Sequence, residues 1–171
     1  DMSVGYYPFV SCGSLKTISI ASSEAEYLAK YCFALKEIDL PNVTEIREGV
    51  LSSSSFFGFY GGQTFVGCFN LESLTAPKVT EIKDNVFSGF KRLKEVNIDW
   101  SNLYSIGEYA FDSCTSLTID VVVDNLTTIG KNAFYNSGIN SFYAEKLEIL
   151  SERTFCDCLN LQSLLLPNIR T

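Results

Sequence analysis

The feature that most constrains this chain is that it repeats itself. An aromatic, a cysteine three residues on and an aliphatic three beyond that recur as Phe9/Cys12/Leu15, Phe65/Cys68/Leu71, Phe111/Cys114/Leu117 and Phe155/Cys158/Leu161. Ala29/Cys32/Leu35 carries Ala in the aromatic place, Phe87/Phe90/Leu93 carries Phe in the cysteine place, and Phe134/Ser137/Ile139 is one residue short. The cysteine positions step by 20, 36, 22, 24, 23 and 21 residues, so the period is near 22 and the outlier is one period plus a 14-residue insertion around Ser52–Phe65. A fixed period of this size is the mark of a stacked array, in which no single copy can bury its own apolar face.

Each copy has a physical reading. Alternating apolar pairs follow the cysteine position, among them Ile18/Ile20, Ile38/Leu40, Leu74/Ala76, Val96/Ile98, Val121/Val123, Phe142/Ala144 and Leu164/Leu166. That is the period-2 pattern of a half-buried strand. Pro41, Pro77 and Pro167 then end the strand, because proline has no N–H to donate. A second short aliphatic stretch follows, as at Ile46, Ile82, Ile106 and Ile129. The inward spacing of Ala110, Phe111 and Cys114 predicts one to two turns of helix lying on the core. Stacked coils of this kind give one parallel sheet on one face, with columns of Phe9, Phe65, Phe87, Phe111, Phe134, Phe155 and of Cys12, Cys32, Cys68, Cys114, Cys158 inside.

The motif resembles the leucine-rich repeats of the BspA-like type, whose pattern runs I-G-x-x-A-F-x-x-C-x-x-L-x-x-I-x-L-P. Ile106-Gly107-Glu-Tyr-Ala110-Phe111-Asp-Ser-Cys114-Thr-Ser-Leu117 and Ile129-Gly130-Lys-Asn-Ala133-Phe134 match its first half. Leu35-Lys-Glu-Ile38-Asp-Leu40-Pro41 and Leu161-Gln-Ser-Leu164-Leu-Leu166-Pro167 match its second. The resemblance implies an α/β fold, a right-handed leucine-rich-repeat solenoid of about seven coils. It also implies a secreted or cell-surface protein of a host-associated microbe, with roles in adhesion and protein–protein interaction, and no shared active site. Residues 1–171 are expected to form one solenoid unit, a slice of a longer array, interrupted at about 52–65.

Composition narrows the chemistry. The chain has 171 residues and no histidine, which removes histidine-based catalysis and histidine metal ligands. A net charge of −7 with 13 Lys+Arg is a poor match to a phosphate backbone, so no nucleic-acid partner is expected. No apolar run approaches the ~18–20 residues of a membrane helix. The column cysteines are expected to be thiols that pack as small apolar groups rather than disulfides. Cys156 and Cys158 lack the further ligands that a zinc site needs. No metal or cofactor is expected. Asn42-Val-Thr44 and Asn125-Leu-Thr127 fit the N-glycosylation sequon, but both fall at the turn position that the repeat itself explains.

Three features stand out as binding candidates. On the outward sheet row, Ser19, Asp39, Thr75 and Asn97 are polar, whereas Val122, Tyr143 and Leu165 form an apolar cluster, with Asp120 in the neighbouring row. Clusters of this kind mark interaction surfaces; ordinary surface scatter, or an area that further C-terminal coils would cover, is the alternative. Trp100 lies in a two-residue expansion beside them. The insertion carries Phe56, Phe57, Phe59 and Tyr60, either as a protruding contact loop or folded back over the flank. The expected function is a non-catalytic interaction or adhesion module that takes a protein or host extracellular-matrix ligand. A structural spacer within a larger surface protein is the alternative, and a β-helix carbohydrate-active enzyme a more distant one.

Overall fold

The computed structural model describes residues 8–23, 28–46 and 68–170. These residues wind into a parallel-sheet solenoid. Three-residue strands recur at the expected place: Thr17–Ser19, Glu37–Asp39, Ser73–Thr75, Glu95–Asn97, Asp120–Val122, Ser141–Tyr143 and Ser163–Leu165. Their pairing is parallel and in register with the repeat, Ile18 on Ile38, Ile38 on Leu74 and Leu74 on Val96. A second ladder runs through Glu45–Ile46, Glu81–Ile82, Ser105–Ile106 and Thr128–Ile129. The short strands Phe9–Val10 and Ala29–Lys30 pair at the first coils.

The third side of each coil departs from the helical turn that the Ala-Phe-x-x-Cys spacing predicts. Among the described residues the only helix is a 3-10 turn at Trp100–Asn102. In the four coils from Asn85 to Asp157 two residues take left-handed φ instead: Asn85 and Gly89, Tyr109 and Ser113, Asn132 and Asn136, Arg153 and Asp157. Left-handed backbone costs a non-glycine residue roughly 1–2 kcal/mol, and it redirects the N–H groups. Phe87, Phe111 and Phe134 donate to the carbonyls of Ala110, Ala133 and Thr154 in the next coil at 2.7–2.9 Å. The residues between them close local turns, as where Cys114 N–H meets Phe111 O at 3.3 Å. Part of the segment's donors therefore stitch one coil to the next, which a helix would not allow.

Phe87, Phe111, Phe134, Cys32, Cys68 and Cys114 are fully buried, Phe9, Cys12, Phe155 and Cys158 pack against the core from its ends, and Phe65 falls outside the described residues. Phe87 and Phe111 stack with centroids 4.9 Å apart, Phe111 and Phe134 at 5.0 Å, and Phe134 and Phe155 at 5.8 Å. The stacking distance follows the coil spacing, near the ~4.8 Å between sheet strands. No disulfide joins any of the six cysteines. The thiols instead bond along the stack: Cys32, Cys114 and Cys158 donate to the carbonyls of Phe9, Phe87 and Phe134 one coil back, at 3.5, 3.0 and 2.8 Å. Burial pushes the Cys68 thiol up to about 12 and raises the Cys114 thiol as well, so neither offers a thiolate near neutrality.

Two of the second strands are followed by a glycine, and each answers to a close approach. A Cβ on Gly107 would meet the Lys83–Asp84 backbone, and one on Gly130 would meet the backbone of Gly107 and Glu108. The glycine of the I-G-x-x-A-F pattern is thus where two coils touch main chain to main chain.

The main sheet is interrupted once. Its strands form a four-stranded block ending at Glu95–Asn97 and a three-stranded block starting at Asp120–Val122. No Cα of one of these two strands comes within 8 Å of a Cα of the other. Two sequence differences cause the gap. Leu117 and Val121 are four residues apart where Leu93 and Val96 are three, and Asp99 caps an added 3-10 turn, accepting bonds from Ser101 N–H, Ser101 Oγ and Asn102 Nδ2. The freed N–H groups bond locally, Ile98 to Val96 O and Thr118 to Ser116 O. The second ladder and the turn ladder continue across the gap unbroken.

Three outcomes test this architecture. Phe111→Ala should cost ~3–5 kcal/mol in a urea melt, as for an aromatic removed from a packed core; a loss under ~1 kcal/mol would place the column elsewhere. Gly130→Ala should cost ~1–3 kcal/mol by overpacking, although alanine normally favours order over glycine. Alkylation of the native protein followed by peptide mass mapping should modify the half-exposed Cys12 and Cys156 and leave Cys68 and Cys114 unmodified until the chain unfolds.

Candidate functional site

The solenoid converts sequence period into surface rows. Val122, Tyr143 and Leu165 stand in register on three adjacent rungs, Val122 opposite Tyr143 and Tyr143 opposite Leu165. Val122 is 49% exposed and Leu165 55%, while Tyr143 is half-buried between them. Asp120 is exposed and accepts a 2.6 Å bond from Ser141 Oγ, so its carboxylate is tied to the next rung.

The other block of the sheet is a polar net. Ser19 Oγ donates to Asp39 Oδ2 at 2.9 Å, and Glu72 lies between Lys36 and Lys94 at 2.8 and 3.4 Å. The lysines hold the Glu72 carboxyl below its ordinary range, the hydrogen bond from Lys36 contributing most. Such exposed pairs add little stability; they order the face. The sheet interruption lies between the polar and the apolar block.

Trp100 is not a free-standing anchor. It is half-buried, packed on the core, with its ring 5.8 Å from that of Phe111. It braces the gap between the two blocks. Phe56, Phe57, Phe59 and Tyr60 lie outside the described residues. The two sequon asparagines are engaged: Asn42 Nδ2 donates to Ala21 O and Asn125 Nδ2 to Ser101 O, both at 2.8 Å, and each side-chain oxygen accepts from a lysine of the next coil, Lys78 or Lys146. They serve as rungs of an inter-coil asparagine row that includes Asn168 on Glu145 O.

Sequence reasoning did not find a second concavity on the turn flank. It has a volume of about 540 Å³ and is bordered by Phe69, Ser88, Lys91, Arg92, Asp112 and Ser113, drawn from three successive coils. Its signal in the sequence is weak but present: Lys91 and Arg92 stand where the preceding copy has Phe69 and Asn70. Burial raises the Asp112 carboxyl, opposed in part by the hydroxyls of Ser88 and Ser113 that donate to it at 3.1 Å. Among the described residues no group of His, Cys, Asp and Glu is arranged to hold a metal ion, and no helix is long and apolar enough to cross a membrane.

Comparison with known proteins agrees with the repeat. No curated protein matches the sequence. Three solved structures resemble the fold. A leucine-rich cell surface protein from Faecalibacterium prausnitzii A2-165 is 16% identical, with a TM-score of 0.45 over 93% of this chain and 62% of that one. A leucine-rich repeat protein from Bacteroides ovatus ATCC 8483 is 17% identical, with a TM-score of 0.38 over 92% and 56%. Another from Eubacterium ventriosum ATCC 27560 is 18% identical, with a TM-score of 0.37 over 92% and 57%. The chain thus spans about three fifths of the length of these proteins. The BspA type leucine-rich repeat region matches in six copies across residues 2–60 and 59–162, and the chain belongs to that family.

Proposed function

We propose that this chain is a non-catalytic interaction module of a secreted or surface-exposed protein, and that it binds a protein or host extracellular-matrix ligand through the apolar block of its sheet face. The observation that carries this reading is the row of Val122, Tyr143 and Leu165, outward-facing on consecutive rungs and bordered by the exposed Asp120. Exposed apolar clusters of this kind mark contact surfaces more often than isolated hydrophobes do. The backbone beneath the row is hydrogen-bonded on both sides along Ser141–Tyr143, so the side chains are presented in a fixed array. A surface ordered before binding loses little conformational entropy on complex formation.

The reading has a direct test. The chain is passed over immobilised extracellular-matrix and mucosal proteins, and the Val122→Asp/Leu165→Asp variant is passed over whichever it binds. Both positions face solvent, so the variant should keep its melting temperature within a few degrees. Its affinity should fall at least about tenfold, because complex formation would then bury two unpaired carboxylates in an apolar interface. Unchanged affinity would discard the patch. Silence of the unaltered chain across the panel would favour a spacer that displays other domains.

A further inference from the structure

The flank pocket lies on a different side of the coil from the sheet face, and its chemistry differs. It combines three elements. The first is a pair of adjacent cations. Lys91 and Arg92 are both exposed at the pocket border, and neither forms an ion pair with a described carboxylate, as is also true of Lys16, Lys78 and Lys146. The second is a flat apolar surface: Phe69 is 51% exposed at the pocket border, at a position where the repeat does not need an aromatic for its core. The third is a fixed acceptor. Asp112 is half-buried, and each of its oxygens receives one hydroxyl, Ser88 Oγ on Oδ2 and Ser113 Oγ on Oδ1. A carboxylate oxygen has more than one acceptor direction, so both can take a further donor from a ligand.

These elements specify a ligand by complementarity. Cations without a carboxylate partner of their own select one from a ligand, and an arginine can grip it in bidentate fashion. A held carboxylate acceptor flanked by serine hydroxyls selects vicinal hydroxyl groups, which donate and accept. An exposed aromatic ring accommodates a flat C–H face. A ring that carries a carboxylate, neighbouring hydroxyls and a C–H face is an acidic pyranose. The volume of about 540 Å³ is within the ~300–1,000 Å³ typical of small-ligand sites, and the pocket is open to solvent, so one residue of a longer glycan could enter while the chain continues outward. We propose that this flank pocket is a binding site for a carboxylate-bearing sugar residue of a glycan, with Lys91 and Arg92 holding the carboxylate, Asp112 and Ser113 the hydroxyls, and Phe69 the ring face.

The test uses the full chain and isothermal titration with four probes: trigalacturonate, 3′-sialyllactose, a neutral galactose trisaccharide and a triglutamate peptide. The expected result is binding of trigalacturonate or 3′-sialyllactose, weakening as salt is added, with no response to the neutral sugar or the peptide. Which acidic probe binds separates a uronate from a sialic-acid ligand. Lys91→Gln/Arg92→Gln and, separately, Asp112→Asn should each weaken binding about tenfold or more, the scale of one charged hydrogen bond removed. Both substituted cations are exposed, so that variant should keep its melting temperature, and the Val122→Asp/Leu165→Asp variant should bind the sugar as before. Equal binding of the neutral trisaccharide or of triglutamate would overturn the proposal, as would failure of both acidic probes at millimolar concentration or unchanged affinity in the cation variant. None of these outcomes depends on whether the sheet face has a protein partner.

Discussion

Everything in this structure depends on main-chain hydrogen bonds that run along the stack rather than within a coil. A coil of about 22 residues is too short to satisfy its own backbone, and strands of two or three residues have no independent stability. On the third side the chain accepts left-handed residues, several of them Tyr, Ser, Arg or Asp rather than Gly. The gain is that N–H groups such as those of Phe87, Phe111 and Phe134 reach the next coil. That gain exists only when a neighbour is present, so each coil's local strain is offset by its neighbours. The side-chain columns obey the same rule: aromatic rings stack at the coil spacing, and cysteine thiols and asparagine amides bond to carbonyls one coil away.

This arrangement explains what the sequence could and could not reveal. The columns were legible because inward positions recur with the period, and Phe111, Cys114, Leu117 and Val121 each have counterparts one period on. The strands were legible for the same reason. The turn segment was not. Its inward spacing of Ala110, Phe111 and Cys114 fits a helix, and what decides against a helix is the destination of the N–H groups, a property of two coils rather than one. Half of the left-handed positions carry the Asn, Asp or Gly that favours such backbone, but Ser11, Tyr31, Tyr109, Ser113 and Arg153 do not announce it.

The candidate sites divide along similar lines. The outward row of Val122, Tyr143 and Leu165 follows from strand alternation alone and could be read from the sequence. The role of Trp100 could not, because its packing on Phe111 arises from the spreading of two rungs that the extra residue before Val121 and the capped turn at Asp99 produce together. The flank pocket was hidden for another reason. Phe69, Arg92 and Asp112 belong to three copies, and only the stacking of successive turns brings residues so far apart in sequence to one concavity.

The interruption of the sheet between Glu95–Asn97 and Asp120–Val122 has a mechanical meaning. In a linear array, cohesion is a sum of nearest-neighbour terms, and at this junction one of the three ladders contributes no strand pairing. There the polar and the apolar block are held together by the second ladder, the turn ladder and the ring stack of Phe87, Phe111 and Phe134, so load crosses this junction through side chains as much as through main chain.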